Sequence, residues 1–320
     1  MLPGQVGSAT SYVTPEGTQA YQRSVYLDDA VQDDSTAAMV WLPGNPTFAV
    51  EQTPWVVYFH GATANEQQLL ITGNLLNPWL DLGWAVLSLR LGTTGVVSPT
   101  VDNNDGKWGN NWMRDGAQFA DTWIEQFATL PERGLLLYAS SAGGTNSLNT
   151  VLEWTYRRGV DHVPVAGLVA VDPALNLRYS YDKGGIGITG TPGTNGSSGN
   201  IRGQIKAAYE IPNNTQSGES AWTTRVDDPR NGHDIAEMID VADIGSFPIL
   251  LSASSDDSLI KKSKNTDLFA PRLLADGRWT TTGETNKLEL LLITTGGAHG
   301  ASNHFDPDVH NPFLQRCLER

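Results

Sequence analysis

A chain of 320 residues with 39% apolar content and ten tryptophans is long enough to fill a sizeable globular core. Its 35 acidic and 21 basic residues leave a net charge of −14, which argues against nucleic acid or an anionic membrane surface as partner. No apolar run approaches the roughly 18 residues of a membrane span, and the single cysteine, Cys317, excludes an intrachain disulfide. The start MLPGQVGSATSYV has neither the basic segment nor the apolar stretch of a secretory leader, so either the protein is not exported by that route or a leader has been removed. Cytoplasmic and virion-associated settings stay open, and no signal for an oligomeric state is present.

Short apolar, β-branched or aromatic runs bounded by turn residues predict eight strands. In chain order they are YQRSVYL from Tyr21, AAMVWL from Ala37, WVVYF from Trp55, WAVLSL from Trp84, GLLLYA from Gly134, VAGLVAV from Val165, FPILLS from Phe247 and LELLLIT from Leu288. The first two alternate in part, as edge strands do, whereas the later ones are nearly continuous apolar runs suited to parallel strands covered on both faces. Helices are expected over Asn65 to Leu80, Asn111 to Ala128, Ala142 to Arg158, Ile201 to Tyr209, Ser258 to Leu274 and Pro312 to Glu319. Alternation of the two types predicts one α/β domain over residues 1–320, with a doubly wound, mostly parallel eight-stranded sheet.

The rhythm breaks between Pro173 and Ser246. KGGIGITGTPGTNGSSGN, from Lys183, is too rich in glycine and serine to order itself by burial, so residues 173–246 read as an insertion: a surface loop in the plain reading, a lid over a site in the functional one. SLIKKSKN, from Ser258, is the one basic cluster and reads as a solvated helix face.

Chemistry enters at LLLYASSAGGTNSLN, Leu135 to Asn149, where an apolar strand runs into two serines and a small-residue helix start. A serine hydroxyl becomes a nucleophile only when it is exposed, given a base and set beside free backbone N–H groups. A sharp strand-to-helix corner meets those needs if the residues two before and two after the serine are small. Ala139-Ser140-Ser141-Ala142-Gly143 satisfies that spacing around Ser141, whereas centring on Ser140 would put Tyr138 in a small position. VVYFHGATANEQQ ends a strand in His60-Gly61-Ala62-Thr63, which makes the N–H groups of Ala62 and Ala142 the expected donors to an oxyanion. His60 reads as a structural histidine of that loop.

The base is expected at His299, flanked by glycines directly after the last strand, with His304 and His310 as rivals in the same tail. His304, His310, Asp306 and Asp308 match no compact zinc spacing, so no metal site is assigned to them. His162 and His233 read as surface or loop residues. The orienting carboxylate is expected in FPILLSASSDDSLI, at Asp257 with Ser-Leu-Ile opening the next helix behind it. Asp256 is the runner-up, or a cap of that helix, and Asp172 in VAVDPALNL is a weaker alternative.

Serine, then aspartate, then histidine, each at the carboxyl end of a predicted strand, together with the H-G loop, the A-x-S-x-G corner, D-D-x-x-I and G-G-x-H-G, resembles the α/β-hydrolase superfamily from about Tyr21 to the C-terminus. The departure is Ala139, where the usual pattern has glycine. The resemblance implies a lid inserted after the sixth predicted strand, acyl-enzyme chemistry on a small or polymeric ester, and no metal or organic cofactor. NDGKWGNNWMRDG, from Asn104, looks like the loop after the fourth strand in some hydrolases of actinobacteria and their phages. A serine carboxylic ester hydrolase is the leading expectation. A peptidase, amidase or cell-surface polymer esterase, with Trp108 and Trp112 stacking on sugars or simply packing in the core, is the second. A non-catalytic ligand-binding protein on the same fold is the third.

Overall fold

The computed structural model describes residues 8–26, 36–44, 53–61, 69, 73–89, 134–183, 201–209, 211–226, 236 and 239–320. Its centre is a ten-stranded sheet in the order β1-β2-β3-β5-β4-β6-β7-β8-β10-β9. The strands are β1 (Thr10–Val13), β2 (Gln19–Tyr26), β3 (Thr36–Pro43), β4 (Trp55–Phe59), β5 (Ala85–Leu89), β6 (Leu135–Ser140), β7 (Val165–Val171), β8 (Ile249–Ser254), β9 (Trp279–Thr280) and β10 (Leu288–Thr295). The first four in the spatial order are antiparallel neighbours, and every pairing from β5 to β9 is parallel.

Eight strands were expected and ten are present among the described residues, the additions being β1 and β9. β1 is a short, mostly exposed polar run, and the turn that folds it onto β2 holds it in place: Gly17 at φ 91° donates its N–H to the Thr14 carbonyl at 2.9 Å. β9 has two residues paired with Leu288 and Glu289, too few for a hydrophobic pattern to register. A second departure concerns β10, expected to be covered on both faces but exposed along its outer half, with Leu292 at 43%.

Helices α1 (Gly73–Asp81), α2 (Ala142–Arg158), α3 (Leu177–Lys183), α4 (Ile201–Ala208), α5 (Ser220–Thr223), α6 (Thr266–Asp276) and α7 (Pro307–Leu318) flank or cap the sheet. Strand alternation splits the core in two. Trp55, Val57 and Phe59 of β4 join Leu148, Val151 and Trp154 of α2 and Phe269 and Leu273 of α6 on one face. Val56 and Tyr58 join Leu75, Trp79 and Leu80 of α1 and Phe313 and Leu314 of α7 on the other. Each large aliphatic side chain buried this way contributes about 1.5–3 kcal/mol, which locks both helix layers to the strands that carry the site. Among the described residues no helix is long and apolar enough to cross a membrane.

Two helix starts differ from expectation. α6 begins at Thr266, not Ser258, because the Asp257 carboxylate takes the N–H groups of Leu259 and Ile260 into a turn and a 3-10 turn at Lys262–Lys264 follows. The last helix begins at Pro307, five residues before the expected Pro312: the Asp306 side chain caps the Asp308 N–H at 3.0 Å, and a proline at the first helical position fits the dihedral required there. The expected helix Asn65 to Leu80 is described as α1 in its second half, while Asn111 to Ala128, with Trp108, Trp112 and His233, lies outside the described residues.

Within the insertion, the glycine-rich stretch 184–200 lies outside the described residues. Of its described residues, Leu177, Tyr181, Ile201, Ile205, Tyr209, Ile211, Trp222 and Val226 form an apolar cluster with Ala142 and Ile260. Arg202 covers the Tyr181 ring at 4.4 Å.

Candidate active site

At the end of β6 the chain turns within one residue. Ser141 has φ 53° and ψ −121°, a conformation that non-glycine residues rarely adopt, and α2 starts at the next residue. Backbone bonds hold it there: Ser141 N–H donates to the Val171 carbonyl at 2.9 Å, and its own carbonyl accepts from Gly144 at 2.9 Å and Ala174 at 2.8 Å. The small residues around it are a steric requirement. A methyl group on Gly143 would lie 2.9 Å from the His60 carbonyl oxygen and closer still to that of Phe59, and one on Gly144 would meet Pro173 at 2.5 Å. On the facing strand end, a methyl on Gly61 would reach the Ser141 Cβ at 3.3 Å.

The two serines point to different places. Ser140 is buried, and its hydroxyl faces that of Tyr58 at 3.4 Å. Ser141 Oγ lies 2.9 Å from His299 Nε2, and His299 Nδ1 lies 2.6 Å from Asp257 Oδ2. Since an ionised carboxylate only accepts, the imidazole proton sits on Nδ1 and Nε2 accepts from the serine hydroxyl. Burial pushes the Asp257 carboxyl up, but its bond to His299, the electrostatic attraction to that ring in its protonated form and the N–H groups of Ile260 and Leu259 outweigh it and hold the group below its ordinary value. Tyr179, half-buried on α3, has its phenol raised first by burial and then by the Asp257 charge, so the insertion faces this end of the sheet.

The loop carrying His299 is tied down at nearly every residue. Gly297 adopts φ 109° and Gly300 φ 71°, turns that only glycine makes without strain. Thr295 O accepts from Ser255 N–H at 2.9 Å, Gly296 O from Asn303 Nδ2 at 2.7 Å and Gly297 O from the Ser254 hydroxyl at 2.6 Å. His304, fully enclosed, donates from Nε2 to Ala298 O at 2.8 Å and accepts at Nδ1 from the Thr295 hydroxyl at 2.6 Å. This rival base is therefore a brace of the loop.

The other candidates fall elsewhere. Asp256 is exposed and accepts from Gly297 N–H at 3.1 Å, so it supports the loop without reaching His299. His310 is buried on α7 with Nδ1 2.9 Å from the Tyr138 hydroxyl, on the far face of the sheet. His60 is buried and donates from Nδ1 to the Gly61 carbonyl at 2.7 Å. His162 is exposed on a 3-10 turn. Ala142 is buried as the first residue of α2, where an N–H has no intrahelical acceptor, while Ala62 lies outside the described residues.

Asp172, the weaker alternative for the carboxylate, makes no hydrogen bond to His299 among those described but braces the loop that carries it. It sits directly after β7 at φ 43°, is 3% exposed, and accepts from Ser254 N–H at 2.8 Å and Gly300 N–H at 3.3 Å. Asp172, Asp257 and His299 each bring one donor atom within 4.8 Å of the others, the one such group found among the described residues. A cation there would compete with the His299–Asp257 bond, and nothing else in the arrangement favours one. The signal available was the Asp-Pro pair after an apolar strand. Asn265 was passed over: its Oδ1 accepts from the N–H groups of Leu175 and Asn176, both at 2.8 Å, and so fixes the first turn of the insertion.

No family model and no curated protein matches the sequence. Solved structures do. An S-formylglutathione hydrolase from Agrobacterium tumefaciens superposes with a TM-score of 0.56 at 16% identity, covering 99% of each chain. An esterase from the fungus Rhizomucor miehei gives 0.55 at 12% identity over 100% of this chain and 86% of that one. Brefeldin A esterase, described as a bacterial homologue of human hormone sensitive lipase, gives 0.54 at 16% identity over 99% and 76%. At such identities the likeness is one of architecture, and with the sheet order and the strand-to-helix corner it identifies the chain as having the α/β-hydrolase fold of esterases and lipases.

Proposed function

We propose that the protein is a serine carboxylic ester hydrolase that works through an acyl-enzyme. The observation carrying this reading is the continuous hydrogen-bonded chain at the strained corner, 2.9 Å from Ser141 Oγ to His299 Nε2 and 2.6 Å from His299 Nδ1 to Asp257 Oδ2. Ser141 Oγ attacks the ester carbonyl while His299 Nε2 takes its proton. The resulting imidazolium is stabilised and kept in orientation by Asp257, whose depressed pKa keeps it ionised. The tetrahedral oxyanion is held by the N–H groups of Ala142 and Ala62. His299 then protonates the leaving alcohol, and water repeats the sequence to free the acid and restore Ser141.

In this reading residues 173–246 form a cap within a single domain spanning 1–320. Support comes from the shared apolar cluster, since the insertion packs on Ala142, next to the nucleophile, and on Ile260, three residues past the acid. A fluorophosphonate probe should label the protein covalently at Ser141, and Ser141→Ala and His299→Ala should each abolish labelling. Wild-type protein that resists the probe would refute the proposal. Rates on short and long p-nitrophenyl esters and on a matched amide then set the acyl range and separate an esterase from a peptidase.

A further inference from the structure

Asp172 has features that a purely structural loop residue does not require. It holds a left-handed backbone conformation, φ 43°, without being glycine, and keeps its carboxylate almost fully buried. Its N–H donates to Ser252 O at 2.7 Å, and its Oδ1 accepts from Ser254 N–H at 2.8 Å, both on the strand that leads to Asp257. Its Oδ2 faces the histidine loop, accepting a long bond from Gly300 N–H at 3.3 Å and lying 3.4 Å from His304 Nε2. That histidine has already placed its Nε2 proton on Ala298 O, at 2.8 Å. Oδ2 therefore keeps unused accepting capacity next to the residue after His299, and donor atoms of Asp172, Asp257 and His299 all lie within 4.8 Å of one another.

We propose that Asp172 is a positioning residue for His299 and a reserve carboxylate to it. With Asp257 in place, Asp172 links the ends of β7, β8 and the β10 loop and so holds the backbone that carries His299. When Asp257 loses its charge, Asp172 is near enough to become the acceptor for the imidazole. This inference rests on the serine hydrolase reading.

The test is a double-substitution cycle on the full chain, measuring kcat and KM on a p-nitrophenyl ester together with the rate of fluorophosphonate labelling. Asp172→Asn removes charge while keeping shape, and asparagine tolerates positive φ better than other non-glycine residues. Asp172→Gly accepts φ 43° without strain and serves if the asparagine variant does not fold. Alone, Asp172→Asn should lower kcat less than about tenfold with KM nearly unchanged. Asp257→Asn should lower kcat by about 10²-fold, in place of the roughly 10⁴-fold expected where one carboxylate serves the histidine. The double variant should fall to about 10⁴-fold below wild type, more than the product of the single effects. Equal factors for Asp172→Asn in both backgrounds, as a merely structural role requires, would overturn the proposal, as would a full 10⁴-fold loss in Asp257→Asn alone. Wild-type protein that does not label overturns the underlying serine hydrolase reading, which separates that failure from this one.

Discussion

Replacing His310 by glutamine should flatten the response of stability to mild acid. His310 is 1% exposed on α7, with its ring 2.9 Å from the Tyr138 hydroxyl. Burial lowers its pKa from 6.5 to about 4, against a smaller opposing pull from the Asp306 charge. Between those values the unfolded chain binds a proton that the folded chain refuses. Stability is therefore fully expressed above 6.5 and falls as the pH drops toward about 4. At about 1.4 kcal/mol per pH unit the whole effect comes to about 3.5 kcal/mol, of which about 2 kcal/mol is lost between pH 7.5 and 5. Glutamine is neutral and keeps a polar group facing Tyr138, so it removes the proton uptake while leaving the rest of the acid response in place. Denaturant unfolding of both proteins at pH 7.5 and pH 5, followed by tryptophan fluorescence, should show their free energies converging by about 2 kcal/mol at the lower pH. A difference between the two that is identical at both values would refute the argument.

Gly143→Ala should destroy the corner, because the methyl group meets the Phe59 and His60 carbonyl oxygens, and loss of both fluorophosphonate labelling and soluble yield is expected; labelling at the wild-type rate would contradict it. The Cys317 thiol is buried and pushed up to about 12, so a thiol reagent at pH 8 should react only as fast as the protein opens, and immediate reaction without denaturant would overturn that. Gly167→Ala should lower the unfolding temperature, since its methyl would lie 2.5 Å from the Cys317 sulfur beneath α7; Cys317→Ala should recover part of the loss, and no recovery would count against the clash. Arg278→Ala should destabilise by about 1–3 kcal/mol in denaturant unfolding, because its guanidinium serves the carbonyls of Val241 and Gly245, pairs with Asp276 and covers the Trp279 ring at 4.4 Å; a change within 0.5 kcal/mol would show those groups to be served by water.

The parallel half of the sheet was legible because its strands are continuous apolar runs, and α2 was legible to the residue because Gly159, at φ 86°, ends it where the pattern stops. β1 and β9 were not, since four mostly exposed residues and two residues carry no hydrophobic period; their pairing partners create them. Asp257 was preferred over Asp256 partly on the idea that Ser258 opened a helix. In the structure Asp257 instead organises a turn through Leu259 and Ile260, and the helix waits until Thr266. The bracing roles of His304, Asn265 and Asp172 had no local signature. Each depends on a partner that the fold brings from a distant segment or on a loop whose path the sequence does not specify, as in the bond from Leu175 N–H to Asn265.

Ser141 and His299 stand 158 positions apart along the chain, with two further strands, β7 and β8, set between the ones that carry them, and Asp257 is 42 positions from His299. In the proposed mechanism the Ser141 hydroxyl is activated only across such separations, which makes probe labelling a clock for folding. During refolding, helix signals from α2 can return within microseconds to milliseconds, while labelling at Ser141 must wait for β6, β7, β8 and β10 to assemble in register. The lag between the two signals measures the time needed to close the sheet.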